Sequence, residues 1–365
     1  MSIIKLKFRD VATIAACLAV TVMFASCTKN NDASVNSEND KVDVYVAGYE
    51  ASGQEYSAYY GTDYRKVAIL WKNGVAQNLT DGTRDAMATS VFVSGDDVYV
   101  AGYEASGQEY VDNEKVGTEY RYVAKLWKNG VAQSLTDGTT GTHAYARSVF
   151  VSGSGVYVAG SEGDAAIFWK NGVADTLFTA FWGASANSVF VSGNDVYVAG
   201  YKDLFSSTHA GSIISFIKLF KNGIEQDITV GNSSGRANSI FVSGDDVYMA
   251  GNGNYGGDPI LWKNNIAQSL SGGFGANTVF VSGNDVYVTG GRYADGYYPI
   301  LWKNGTAQTL VGGTWASSVF VSGKDVYVAG SDDVKAILWK NGVANNLTDG
   351  KRNAGANSIF VVECE

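Results

Sequence analysis

Carboxylates are the residues of this chain most obviously able to do chemistry. Pairs of Asp or Glu hydrolyse glycosidic bonds, and six candidates fall between the repeated segments of the sequence: Glu50, Glu104, Asp164, Asp258, Asp295 and Asp332. Their spacing singles out no pair. No cluster of His, Cys and Asp has the spacing of metal ligands, and no Asp-rich calcium loop is present. The sequence therefore predicts no metal, no other cofactor and no assignable catalytic residue.

Aromatic and cationic side chains indicate binding instead. Tyr and Trp give a large, rigid contact area with a polar group at one end, which suits recognition surfaces. The candidates are residues that break an otherwise repeated sequence: Tyr145, Trp182, Arg236, Trp315, His143 and Arg147. Arg147 stands where equivalent positions have Asn, Ser or Thr, which we interpret as structural hydrogen-bonding residues. It is either a binding residue or the ion-pair partner of a neighbouring carboxylate.

These candidates are positioned by a repeat of about 40 residues, seen in Ala-Asn-Ser-Val-Phe-Val-Ser-Gly-Asn-Asp-Val-Tyr-Val-Ala-Gly at 186–200. Each copy contains four short segments rich in Val, Ile, Phe, Tyr and Trp and bounded by turn residues, which is typical of β-strands. The first two segments join through Ser-Gly-x-Asp and the last two through Asn-Gly, as at Asn73 and Gly74. Asn-Gly favours a type I′ hairpin turn, because both central residues need positive φ.

Each kind of segment occurs seven times, provided that 356–362 is counted with the strands near the N-terminus. The sequence therefore predicts an all-β, seven-bladed β-propeller with four antiparallel strands per blade, closed by strand 356–362. An open solenoid, the alternative, does not need two end fragments that add up to one unit. Residues 43–362 resemble the β-propeller superfamily, and 286–291 resemble a kelch strand with its glycine pair. The other blades have one glycine there. The resemblance implies a rigid disc with a ligand or partner surface at one end.

Alternating strand direction sends the connections to two opposite faces of this disc. The face with the two hairpins of each blade scarcely varies in length, and we call it the constant face. The other holds the extra residues at 49–66, 103–122 and 201–216, and we call it the variable face. All tyrosines outside the repeated position fall there, as do both histidines, His143 and His209. Loops on a rigid scaffold are where binding residues usually lie. The alternative is that these loops only pack on one another.

The N-terminus has the features of an exported lipoprotein. A basic start and an apolar run at 11–24 precede the cysteine of Ala25-Ser26-Cys27. This resembles the lipobox of Gram-negative lipoproteins, which implies that the signal peptide 1–26 is removed, that Cys27 is lipidated and that 27–42 tether a propeller of 43–365. A transmembrane anchor is the alternative, although the run is shorter than the ~20 residues that a span needs. Cleavage leaves only Cys364 beside Cys27, so no disulfide framework is predicted.

Charge completes the functional expectation. A formal charge of −9 argues against a nucleic-acid partner, because phosphates need a basic surface. The sequence thus predicts a monomeric, lipid-anchored protein of the cell envelope, at the outer membrane or cell surface or on the periplasmic side. Its variable face is expected to bind a glycan or a protein without catalysis. The alternative is an envelope enzyme that acts on glycans with a carboxylate pair on the same face.

Overall fold

The computed structural model describes residues 42–58, 61–111, 118–139, 141–205, 213–226, 228, 235–253 and 257–364. The expected signal peptide, Cys27 and the tether up to residue 41 lie outside the described residues, as does His209. The described part of the chain contains strands and turns and no α-helix. Consequently, none of the described residues belongs to a helix that could span a membrane.

The described residues form seven antiparallel sheets of four strands, which we number as blades 1 to 7. Blade 1 consists of β1 (Val42–Ala58), β2 (Gly61–Lys72), β3 (Val75–Asn78) and β28 (Ala354–Glu363). Blades 2 to 4 consist of β4 (Ala86–Ser94), β5 (Asp97–Val111), β6 (Thr118–Lys128) and β7 (Val131–Ser134); β8 (Ala144–Ser152), β9 (Gly155–Glu162), β10 (Ala165–Lys170) and β11 (Val173–Thr179); and β12 (Ala184–Ser192), β13 (Asp195–Phe205), β14 (Ile213–Lys221) and β15 (Ile224–Glu225). Blades 5 to 7 consist of β16 (Gly235–Ser243), β17 (Asp246–Gly253), β18 (Pro259–Lys263) and β19 (Ile266–Ser269); β20 (Phe274–Ser282), β21 (Asp285–Tyr293), β22 (Tyr297–Lys303) and β23 (Thr306–Thr309); and β24 (Trp315–Ser322), β25 (Asp325–Ser331), β26 (Ala336–Lys340) and β27 (Val343–Asn346).

Both ends of the described chain complete blade 1, as the sequence predicts. Strand β28 pairs antiparallel with β1 from Val42↔Glu363 to Glu50↔Ala354. Each blade also contributes one phenylalanine to a ring around the central channel, with neighbouring ring centroids 4.6–5.0 Å apart: Phe92, Phe150, Phe190, Phe241, Phe280, Phe320 and Phe360. Because the last phenylalanine contacts the first, the prediction of a closed seven-bladed β-propeller is confirmed.

The repeated tryptophans pack blade against blade. Trp169 of blade 3 is fully buried in a cluster with Tyr99 and Leu126 of blade 2, and Trp127 of blade 2 packs in the same way with Leu70 of blade 1. Burial of aromatic side chains of this size is a major source of stability. The sequence-based interpretation of the repeated aromatics as blade-to-blade packing is therefore confirmed for these positions.

On the constant face, each Asn-Gly turn is tied to the neighbouring hairpin of its blade. In blade 2, Asn129 has a φ of 51° and is followed by a glycine at 80°, as a type I′ turn requires. Its Nδ2 donates to Asp97 Oδ1 at 2.7 Å, and its Oδ1 accepts from the amide of Val98 at 2.8 Å. The Lys128 ammonium lies 2.7 Å from Asp97 Oδ2. The hydrogen bonds from Lys128 and Asn129 hold the pKa of Asp97 below its usual value.

The lysines that precede the Asn-Gly turns of the constant face are largely ion-paired. Six blades contain the Lys–Asp pair at 2.7–2.8 Å. Blade 3 has Gly155 in place of the aspartate, and Lys170 forms no ion pair with the described residues there. Its ammonium lies 5.5 Å from the centre of the Tyr157 ring instead. The constant face is thus a repeated structural surface with one departure.

On the variable face, three blades extend their second and third strands as β-hairpins. Pairing continues to Ala58↔Gly61 in blade 1, to Val111↔Thr118 in blade 2 and to Phe205↔Ile213 in blade 4. The sequence predicted loops at these positions, because their residues depart from the repeat. The chain instead continues the hydrogen-bonded ladder past the blade. At blades 1, 2 and 4, β-hairpins rather than irregular loops therefore project from the variable face.

The C-terminus also departs from the sequence-based expectation. Cys364 is disulfide-bonded, whereas no disulfide was predicted. The two other cysteines of the chain, Cys17 and Cys27, both lie outside the described residues. The expectation was made for a mature chain cleaved before Cys27 and lipidated there, whereas the disulfide of Cys364 belongs to the uncleaved chain.

Candidate functional site

The first strand of every blade carries a β-bulge near the variable face. In blade 4, Ala186 pairs with Gly200 and Ser188 with Ala199, so Asn187 between them has no partner in the ladder. The bulge brings the preceding carbonyl against the second strand, where a Cβ on Gly200 would lie 1.9 Å from the oxygen of Ser185. Such a close approach admits only glycine, which explains why all seven blades have glycine at that position. Each bulge contributes one additional side chain to the channel.

Most of these bulge residues link one blade to the next. The seven are Thr89, Arg147, Asn187, Asn238, Asn277, Ser317 and Asn357. Five of them donate to an alanine carbonyl of the following blade at 2.7–2.9 Å, as Asn187 Nδ2 does to Ala237. The asparagines are therefore confirmed as structural hydrogen-bonding residues. Within the described residues, Arg147 and Ser317 make no such bond.

A cavity of about 570 Å³ opens at the channel mouth on the variable face. Blades 1 to 5 line it with Met87, Thr89, Arg147, Asn187, Tyr201, Arg236, Asn238, Asn252 and Asn357. A groove of about 210 Å³ lies between blades 4 and 5 and shares Arg236 and Asn252 with the cavity. Among the described residues, the cavity lining contains two guanidinium groups and four amides but no carboxylate. This lining is suited to hydrogen bonding with a polar ligand and to attracting an anion.

Arg236 is held in a fixed position by three partners. Its Nη2 lies 2.7 Å from Asp203 Oδ2, and its Nε donates to Ser215 Oγ at 2.9 Å. Ser215 in turn donates to the other Asp203 oxygen at 2.6 Å. The guanidinium also lies 4.1 Å from the centre of the Tyr201 ring. Because Asp203 is buried, this pair places a neutralised, oriented donor beside an aromatic ring in the cavity wall.

Arg147 lies in the same cavity without such a partner. Its side chain is exposed, and it forms no ion pair with any residue that the structure describes. The guanidinium lies 5.3 Å from the centre of the Tyr145 ring, a distance that permits a cation–π contact. The ion-pair alternative considered for Arg147 therefore finds no partner in the described structure. Its positive charge remains available to a ligand.

Tyr145 and His143 belong to an aromatic cluster beside the cavity rather than to its lining. The Tyr145 ring lies 4.9 Å from Tyr103 and 5.6 Å from Tyr122, and His143 stacks on it at 6.1 Å. The Tyr122 hydroxyl donates to Asp85 at 2.8 Å. Burial raises the pKa of the Tyr145 hydroxyl above its usual value, which keeps the phenol neutral. Tyr145, a member of this cluster, lies against the guanidinium group of Arg147.

The two tryptophans predicted for the site lie outside the cavity. Trp315 is half-buried against Phe274, with ring centroids 5.6 Å apart, and it packs over Gly291, where a Cβ would clash with it at 2.8 Å. Trp182 is 47 % exposed and contacts Phe181 and Phe205. The structure thus brings Arg147 and Arg236 together, places Tyr145 next to them and separates both tryptophans from them.

Sequence reasoning missed Tyr201 and Asn252, which contribute to the cavity from the second strands of blades 4 and 5. Each is the partner of a residue at the channel mouth, in the pairs Ser185↔Tyr201 and Arg236↔Asn252. A sequence signal for them exists. The residue after the repeated Ala-Gly varies from blade to blade, whereas the Ala-Gly itself hardly changes. Met87, Ser185 and Arg236 occupy equivalent positions in the first strands of blades 2, 4 and 5. Met87 and Arg236 line the cavity, while Ser185 is buried.

Comparison with known proteins adds no functional assignment. No family model matches the chain, and no curated protein is similar to it. Solved structures similar to this chain include the β-propeller domain of the Trilobed protease from Pyrococcus furiosus, at 12% identity and a TM-score of 0.45 over 84% of this chain and 97% of that one. The computationally designed Ika8 protein is similar at 14% identity and a TM-score of 0.39, over 74% and 89%. The nidogen/laminin complex is similar at 9% identity and 0.39, over 87% and 98%. The fold assignment therefore rests on the seven sheets and their closed ring.

Metal-dependent chemistry has no support from the described part of the site. No three His, Cys, Asp or Glu side chains among the described residues lie close enough together to hold a metal ion. Asp203, the carboxylate paired with Arg236, also accepts a hydrogen bond from Ser215.

Proposed function

We propose that this protein binds a ligand without catalysis through the channel mouth of its variable face. The observation that carries the proposal is the cavity of about 570 Å³, to which five blades of one repeated design contribute unlike side chains. Recognition of an asymmetric ligand requires that a pseudo-symmetric scaffold be broken in this way. Pockets of this size take small ligands or short stretches of polymer.

The proposed ligand is a glycan. Four amides and two guanidinium groups offer hydrogen bonds to hydroxyl groups, and the Tyr201 ring offers an apolar surface for the face of a sugar. The adjoining groove of about 210 Å³ extends the site outward past Arg236, which favours a chain of sugars over a single one. A concave, polar site fits a folded protein partner less well, because protein interfaces have a more apolar centre.

The alternative function, glycan hydrolysis by two carboxylates, is favoured less by this geometry. Among the described residues the cavity lining contains no carboxylate, and hydrolysis needs two of them flanking the bond. We expect a screen of purified protein against neutral and acidic polysaccharides to show retention without release of reducing sugar. Sugar release that disappears when a facing carboxylate pair is neutralised would replace the binding proposal with the enzymatic one.

We further propose that the protein is a cell-envelope lipoprotein, anchored through Cys27. Strand β1 begins on the constant face, where the amide of Val44 donates to Asn73 Oδ1 of the turn at 2.8 Å. A tether that leads to residue 42 thus reaches the disc from the constant face. This orientation turns the constant face toward a membrane and leaves the variable face accessible.

Replacing the anchor residue tests this proposal. We expect Cys27→Ser to move the protein from the membrane fraction to the soluble fraction and to abolish incorporation of labelled palmitate. Cys364→Ser is the matched control, and it should leave both unchanged. A Cys27→Ser variant that stays in the membrane fraction and still incorporates palmitate would contradict the anchor.

A further inference from the structure

We propose that the ligand of the channel mouth carries a carboxylate and that Arg147 is the residue that binds it. The inference rests on the proposed glycan-binding function and names the class of glycan, namely oligosaccharides that contain uronic acids. Arg147 is the charged member of a ring of bulge residues that are otherwise neutral.

The structural role of the bulge position has been given up at Arg147. The equivalent asparagines connect their blades to the next one, as in Asn238 Nδ2 to Ala276 O at 2.9 Å and Asn357 Nδ2 to Ala88 O at 2.8 Å. Thr89 makes the same link with its hydroxyl at 2.8 Å. Arg147 donates no such bond to Ala186, its counterpart in the next blade. Ser317 leaves the same bond unmade with a short, neutral side chain. What is particular to Arg147 is a long, charged side chain at a ring position whose other members are neutral.

The charge of Arg147 is the second observation. The protein has a formal charge of −9, yet the described lining of this cavity has two guanidinium groups and no carboxylate. Arg236 is neutralised by Asp203 at 2.7 Å. Arg147 has no ion pair with the described residues, so the cavity retains one positive charge. A concave site with a single sign of charge attracts a ligand of the opposite sign.

The surroundings of Arg147 suit a carboxylate carried by a sugar. A guanidinium group presents parallel N–H donors that match the two oxygens of a carboxylate. The guanidinium lies 5.3 Å from the centre of the Tyr145 ring, a contact that favours one orientation of this exposed side chain. The neighbouring Asn187 and Asn238 line the same cavity and are suited to the hydroxyl groups of a sugar ring. A uronic acid residue has a carboxylate and ring hydroxyl groups within a few bonds of one another.

Binding to matched acidic and neutral glycans tests the inference. The probes are oligosaccharides of galacturonic, glucuronic and mannuronic acid, each as the free acid and as its methyl ester, with dextran and dextran sulfate alongside. For at least one of the three sugars, we expect the acid to bind about tenfold or more tightly than the ester, as loss of one charge-assisted hydrogen bond pair implies. Arg147→Asn should abolish that preference, because it lowers the affinity for the acid far more than that for the ester. It should leave the melting temperature unchanged or higher, because the variant restores the asparagine of the ring.

Two control variants separate the possible failures. Arg292→Asn removes an exposed arginine of the variable face that lies outside the cavity lining, and it should leave the preference intact. Tyr201→Ala should weaken acid and ester alike, since it removes an aromatic surface rather than a charge. Equal affinity for acid and ester with a clear effect of Tyr201→Ala would overturn the carboxylate inference while the glycan-binding proposal stands. If dextran sulfate binds as tightly as the uronic acids, the site recognises anions in general, and the carboxylate inference is overturned. Binding of no probe at all would overturn the carboxylate inference as well, and the polysaccharide screen then decides the binding proposal.

Discussion

A chain that ends at residue 355 is expected to lose its cooperative fold. Strand β28 forms one edge of blade 1, and removal of its residues 356–363 leaves β1 without its partner from Val42 to Gly48. It also removes Phe360 from the phenylalanine ring and Ile359 and Val361 from the cluster around Trp71. The exposed strand edges and apolar surface favour aggregation. Thermal unfolding followed by circular dichroism should show no cooperative transition.

A permuted chain provides the control for this truncation. Residues 354–362 are moved in front of Asp43, and a two-residue turn joins Val362 to Asp43, its partner in the ladder. Blade 1 then has the same strand order as the other six. We expect the permuted chain to unfold cooperatively near the temperature of the natural one. A truncated chain that melts like the full chain would show that the ring does not depend on β28.

Replacing Trp302 by alanine is expected to lower the free energy of unfolding by about 3–5 kcal/mol, as for other buried tryptophans. Trp302 is fully buried, and its Nε1 donates to the carbonyl of Ser271 at 2.8 Å. The indole also packs against Gly290 and Gly273. These glycines have no side chains that could fill the space left by its removal. Urea unfolding of the variant measures the loss.

The matched control makes the same change at a tryptophan on the surface. Trp182 is 47 % exposed, so Trp182→Ala should cost far less than Trp302→Ala. Equal losses for the two variants would contradict the assignment of the repeated tryptophans to blade-to-blade packing. Neither residue lines the channel mouth, so both variants should keep any ligand affinity.

The fold was predictable from the sequence because its signals are local and repeated. Asn-Gly at each hairpin requires positive φ at both positions, and the asparagines adopt φ near 50°. The number of repeats gives the number of blades. The copy that is divided between 356–362 and the N-terminal strands predicts that the ring closes. The long hairpins of blades 1, 2 and 4 were not predictable in the same way, because strand pairing there extends through residues that have left the repeat.

The site was predictable only in part. Arg147 and Arg236 were identified from the sequence because each breaks the repeated pattern. In the structure, both line the cavity. Tyr145 and Trp315 break the pattern too, but neighbours outside their own strand decide their exposure. Trp315 is half-buried because Gly291 of the neighbouring blade 6 leaves room for its ring. Replacing Trp315 is therefore expected to disturb packing, and it is a poor test of binding.

The structure of the protein with an oligosaccharide retained in the screen tests the central claim most directly. The proposal predicts a sugar in the channel mouth of the variable face, with one ring against Tyr201 and hydrogen bonds to Asn187 and Asn238. A uronic acid would place its carboxylate on the guanidinium of Arg147. An oligosaccharide bound to the Asn-Gly hairpins of the constant face, or to the outer strands of the blades, would contradict the claim.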